Sequence, residues 1–156
     1  MTHVSIELRE VTDGVREELR SVRVGEGQER FVSSIEESLA EAEQYPEAKP
    51  WHRAVYSEGV AVGFVMICWD VEPDPPELWG PWFLWKLLID ERQQGRGLGR
   101  EVVLAIVDIV RREGGDALIT SYGEGPGGPG AFYRGLGFVP TGDIDHDEIV
   151  ARLPIS

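Results

Sequence analysis

The chain has 156 residues, 42 % of them hydrophobic, which suits one domain over 1–156 with a core of its own. Acidic residues outnumber basic ones 28 to 15, a formal charge of −13, and such a surface repels nucleic acid and anionic membranes. The single cysteine excludes an internal disulfide, and Met1-Thr2-His3-Val4-Ser5 lacks the basic and apolar regions of a secretory leader, so a cytoplasmic protein is expected.

Val4 to Val11 alternates apolar Val4, Ile6 and Leu8 with Ser5, Glu7 and Arg9, the period of a half-buried strand. Thr12-Asp13 can cap a helix over 14–22. A second helix is predicted over 28–44, with Phe31, Ile35, Leu39 and Ala42 on one face. Tyr45-Pro46 ends it, because proline disfavours helix in the residue before it. Residues 51–57 and 60–69 form a hairpin around Glu58-Gly59. The second of these runs is purely apolar for ten residues, half of what crosses a bilayer, and it holds Cys68 as a small buried side chain.

Pro73, Pro75 and Pro76 make 71–80 a loop, and 82–89 is the next strand. In a helix over 97–112, Arg100, Glu101, Asp108, Arg111 and Arg112 fall within a sector of about 120°. The rest of that helix is apolar and is expected to be buried. A strand over 117–122, a loop over 123–128, a short helix over 129–136, and strands over 138–141 and 148–153 complete the chain. The order is βααβββαβαββ, with no internal repeat.

Chemistry concentrates in Leu87-Leu88-Ile89-Asp90-Glu91-Arg92-Gln93-Gln94-Gly95-Arg96-Gly97-Leu98-Gly99-Arg100. An apolar strand runs into a glycine-rich turn, and a helix begins at once. Unpaired amides at a helix N-terminus, with the positive end of the helix dipole behind them, hold a phosphate or pyrophosphate without a metal. Arg92, Arg96 and Arg100 add three cations in an acidic chain. No lysine follows as a P-loop requires, and the glycine spacing does not fit a dinucleotide turn. His3, His52 and His146 have no triad or metal spacing, and no metal is expected.

The spacing Gln94-x-x-Gly97-x-Gly99 resembles the acetyl-CoA signature of the GNAT superfamily of N-acetyltransferases. Gly130-Ala131-Phe132-Tyr133-Arg134-Gly135-Leu136-Gly137-Phe138 is similar to that family's tyrosine-bearing helix and the turn after it. The resemblance covers positions 82 to 153 well. It implies the α/β GNAT fold, a mixed and mostly antiparallel sheet flanked by helices. It also implies direct transfer of an acetyl group from acetyl-CoA to an amine, through a tetrahedral intermediate.

By the same resemblance, backbone amides of Gly95, Arg96, Gly97, Leu98, Gly99 and Arg100 grip the pyrophosphate, in a turn that Gln94 opens. The main chain of Leu87, Leu88 and Ile89 holds the pantetheine arm, with the Leu87 amide aimed at the developing oxyanion. Tyr133 protonates the departing thiolate. An asparagine common seven residues before that tyrosine is Pro126 here, and amides near Gly128 and Gly130 are its expected replacements. The strand glutamate that many relatives use as a base is also missing, where Phe83, Leu84 and Trp85 stand. That leaves Asp70, Glu72, Asp74, Glu77 or water for the role, and Lys86 either pairs with one of those acids or faces solvent.

The stretch from Gly80 to Asp90 is similar to that of bacterial polyamine and diamine N-acetyltransferases. Trp79, Trp82, Trp85 and Phe83, with seven carboxylates between Glu26 and Glu47, suit a small amine carrying several ammonium groups. Other amines, a homodimer, and a domain that senses acetyl-CoA without transferring it are the alternatives.

Overall fold

A computed structural model describes residues 5–23, 34–126 and 128–156. The elements are β1 (Glu7–Arg9), α1 (Asp13–Leu19), α2 (Ile35–Gln44), β2 (Pro50–Ser57), β3 (Val60–Cys68), β4 (Phe83–Ile89), α3 (Leu98–Arg112), β5 (Ala117–Tyr122), α4 (Gly130–Leu136), β6 (Val139–Asp145) and β7 (Glu148–Pro154). This is the order inferred from the sequence. Short 3-10 turns at Pro46–Ala48 and Glu91–Gln93 add to it.

The seven strands among the described residues lie in one sheet, ordered β1-β2-β3-β4-β5-β7-β6. Every neighbouring pair is antiparallel except β4 and β5. α3 makes that one parallel connection possible, since parallel neighbours need a crossover. Each face of the sheet carries helices. On one face, Leu98, Val102, Val103, Ile106 and Val110 of α3 and Tyr133 of α4 pack on Val65, Leu84 and Leu118. On the other, Leu19 of α1 with Ile35 and Leu39 of α2 cover Ala54, Tyr56, Phe64 and Leu88.

Helix boundaries follow local chemistry. Thr12 caps α1, its hydroxyl accepting from the Val15 amide at 3.2 Å. α2 starts at Ile35 rather than at 28 because Ser34 and Glu37 form a capping box, each side chain closing on the other's amide. Phe31, assigned to that helix from its spacing, lies outside the described residues. On α3 the apolar stripe is buried as expected, except that Leu104 sits 43 % exposed inside the polar sector. β6 is longer than its sequence pattern indicated and nearly all of it is exposed, as the outer strand of the sheet. No helix among the described residues is long and apolar enough to cross a membrane.

Candidate active site

The sheet opens at its centre. β4 and β5 pair only at Phe83↔Ile119 and Leu84↔Thr120. The last tie is a side chain, with the Thr120 hydroxyl donating to Leu84 O at 3.0 Å. Beyond it β4 follows β3 and β5 follows β7, and the two strands separate into a fork. At the same level the β3–β4 register shifts between Met66 and Ile67, leaving Trp85 as the extra residue of a bulge. A bulge adds local twist and bends its strand. It also turns Trp85 and Lys86 to the α2 face, while Leu84 and Leu87 stay on the α3 face.

The Asp90 amide donates to Val62 O at 2.8 Å, which sets the phase of the strand. With a period of two, Leu88 and Lys86 also direct their backbone at β3. Leu87 and Ile89 direct theirs into the fork. Leu88 thereby leaves the cofactor-facing set, since its backbone serves the β3 ladder and its side chain is buried against Phe64 and the α1–α2 core. The Ile89 carbonyl accepts from Gln94 Nε2 at 3.1 Å, so Gln94 ties the turn back to the strand.

The turn itself is braced from below. The Asp90 side chain, 1 % exposed, accepts from the Arg92 amide at 2.9 Å and from its guanidinium at 3.0 and 2.8 Å. Those bonds, the side-chain pair foremost, hold the Asp90 carboxyl below the usual carboxylate range. Arg92 also donates to Ser21 O at 3.0 Å. Its guanidinium is thereby committed to bracing the turn. Arg96 bonds the Gln93 side chain, and Arg100 stands exposed in the first turn of α3.

Gly97 takes φ +79° as the cap of α3, and Glu101 N–H to Gly97 O (3.1 Å) is the first bond of the helix. The amides of Leu98, Gly99 and Arg100 are left pointing out of its N-terminus. A Cβ added at Gly95 or Gly97 would meet no protein atom within 4 Å, so that side of the turn can receive a bulky anion. Gly99 differs, because its Cβ would stand 3.1 Å from Phe132, and it serves close packing of α3 against α4. Leu98 buries its side chain in the core and can offer the site only its amide.

Phe132 leads directly to Tyr133. That ring is 7 % exposed, stacked on Tyr122 with centroids 5.7 Å apart and edged by Phe132 and Phe138. Burial pushes its phenol above the ordinary value, the Thr120 hydroxyl pulls against that shift, and the negative charge of Glu148 adds to it. Since Thr120 closes the fork, the phenol stands at its apex. Tyr133 keeps its proton across the working pH range.

The family model for the acetyltransferase (GNAT) family matches residues 14–138. The chain belongs to that family. This N-acetyltransferase is 33 % identical over 104 residues, 67 % of either chain, to the spermine/spermidine N(1)-acetyltransferase of Bacillus subtilis (strain 168). An acetyltransferase from Thermus thermophilus shares the fold with a TM-score of 0.73 at 21 % identity, over 99 % of this chain and 100 % of that one. The PaiA N-acetyltransferase from Thermoplasma acidophilum, solved in complex with coenzyme A, gives 0.66 at 15 % identity, over 96 % and 99 %. The protein is accordingly an acetyl-CoA-dependent GNAT acyltransferase.

Several side chains expected near the acceptor are elsewhere in this acetyltransferase. Trp82 is core, edge-on to Trp69 at 4.9 Å and 3 % exposed, and Phe83 is buried beneath the 71–80 loop. Asp70, just before that loop, and Glu72, Asp74 and Glu77 within it are exposed, and the loop joins the start of β4 through Val71 N–H to Pro81 O. Lys86 pairs with none of them. It reaches Glu41 of α2 at 3.2 Å, with the ammonium-bearing side chain 14 % exposed. Among the acids of α2 and the turn after it, Glu36 binds Arg16, Glu37 closes the capping box and Glu41 holds Lys86, while Glu43 and Glu47 are exposed. Glu26 and Glu29 lie outside the described residues. The Gly128 amide closes a turn onto Gly125 O and is not spare for the cofactor.

Sequence reasoning passed over Thr120, Ser121 and Glu148. Threonine and serine in a strand carry no signal, and the glutamate opens the last strand, far from either motif.

Proposed function

We propose that this acetyltransferase moves an acetyl group from acetyl-CoA to a primary amine of a polyamine or diamine. The observation that carries the reading is the 33 % identity to a spermine/spermidine acetyltransferase, combined with an acidic, aromatic lining on the α2 face of the fork. Trp85 and Tyr45 lie there with ring centroids 6.4 Å apart, beside Glu41. Such surroundings already hold the Lys86 ammonium, and the same chemistry suits an ammonium on a substrate.

Bound acetyl-CoA supplies the activated acetyl group. In our reading the amides of Gly95 to Arg100 hold its pyrophosphate, and the fork-facing backbone of Leu87 and Ile89 aligns the pantetheine. The Leu87 N–H then polarises the acetyl oxygen in a place that costs no reorganisation. Tyr133 donates the proton that the departing sulfur needs. Exposed Val139 and Ile144 on the outer strand favour a homodimer through that edge, measurable as mass in solution.

The deciding experiment is thiol release from acetyl-CoA with spermidine, spermine, putrescine and simple amino acids as acceptors. Turnover on the polyamines exceeding that on amino acids by tenfold or more in kcat/KM supports the reading. Equal or lower turnover on the polyamines overturns it.

A further inference from the structure

We propose that Glu148, oriented by Ser121, is the base that takes a proton from the incoming ammonium. This rests on the acetyl-transfer reading and adds to it a residue from the last strand.

Thr120 and Ser121 are consecutive on β5, so their side chains lie on opposite faces of the sheet. Thr120 neighbours the Tyr133 phenol on the α3–α4 face. Ser121 donates to Glu148 Oε1 at 2.8 Å, and the carboxylate is half-buried. Glu148 shares its face with Val150, the register partner of Ser121. A proton donor and a proton acceptor therefore straddle β5 at the fork. Ser121 is one step past the Leu84–Thr120 pair, level with the bulge at Trp85. The 71–80 loop acids lie before Phe83, about four residues or roughly 13 Å back along β4 from Leu87. Among the described carboxylates, Glu148 is also the one whose charge reaches the Tyr133 phenol.

The first ammonium proton passes to Glu148 Oε2 and on to solvent. The freed pair on nitrogen forms the C–N bond, the C–S bond breaks, and sulfur takes the Tyr133 proton. The second nitrogen proton leaves as the amide forms and restores the phenol. One proton is released per turnover.

Glu148→Gln keeps an oxygen for Ser121 and removes the basic group. Using the amine that the unaltered protein acetylates best, kcat at pH 7 should fall about 10²- to 10³-fold. The affinity for acetyl-CoA should stay within twofold. The variant's rate should then track the fraction of amine that arrives neutral, rising about tenfold per pH unit from pH 6 to 9 for an amine of pKa near 10. Ser121→Ala frees the carboxylate from its orienting bond, so kcat should fall about fivefold, and Ser121→Thr, which keeps a hydroxyl, should restore it. A folded Glu148→Gln protein with more than half the normal kcat and an unchanged pH profile would overturn the assignment while leaving the transferase reading intact. A Glu148→Gln loss of equal size at every pH would also overturn it, as the mark of a structural role. If the unaltered protein acetylates no amine, both readings fall.

Discussion

Gly97 and Gly114 bracket α3 and allow the cofactor turn to be tested against its own control. Gly97 has φ +79° and Gly114 φ +88°, and a Cβ at either would meet no protein atom within 4 Å. Alanine in the left-handed region costs about 1–2 kcal/mol at either position. Unfolding entropy of about 2.1 cal/mol/K per residue makes about 0.3 kcal/mol/K for 156 residues, so each variant should melt about 3–6 °C lower. Ligand affinity should separate them. The Gly97 methyl projects among the amides of the turn, and one lost charge-assisted bond to phosphate, about 1.5–3 kcal/mol, raises Kd about 10- to 150-fold. Gly114 lies beyond the far end of a 15-residue helix, about 22 Å away, and its variant should bind normally. Calorimetric titration with acetyl-CoA measures both. A folded Gly97→Ala protein whose Kd stays within twofold of normal would refute the assignment of the turn.

Tyr133→Phe should lower kcat about 10²- to 10⁴-fold while the KM for the amine moves little, because the lost interaction belongs to the transition state. Stability should change little in a thermal melt, because the ring still packs on Tyr122, Phe132 and Phe138. For a polycationic acceptor, KM should rise with salt far more than KM for acetyl-CoA, since exposed charge attraction is screened over about 8 Å at physiological ionic strength; parallel kinetics at low and high salt check this. Burial pushes the Cys68 thiol up to about 12, so at pH 8 about one thiol in 10⁴ is ionised. A disulfide reagent should leave the native protein unlabelled and react fully only in denaturant.

Local signals in the sequence were enough for the element order and for the two motifs. Alternation in β1, the apolar run of β3, the stripe of α3 and the Tyr45-Pro46 stop each depend on neighbours a few residues away, and the structure contains all four. The glycine turn was legible for the same reason, because Gly97 must cap α3 with a positive φ whatever surrounds it. The start of α2 was not read correctly, because the apolar spacing drew it back to 28 while the Ser34–Glu37 capping box sets it at Ile35.

Side-chain destinations were another matter. Trp82 and Trp85 are three residues apart and aromatic alike, yet one is core on the α3 face and the other lies on the α2 face, because the bulge at Trp85 breaks the alternation that separates faces. Lys86 found Glu41 rather than a loop acid through that same shift. Arg92 is taken up by Asp90, whose burial made a charge partner obligatory. The fork, with Tyr133 and Thr120 on one face of β5 and Ser121 and Glu148 on the other, belongs to strand pairing between residues far apart in the chain. A strand's period tells which residues share a face. Only the register between strands, set when the sheet assembles, decides which faces meet.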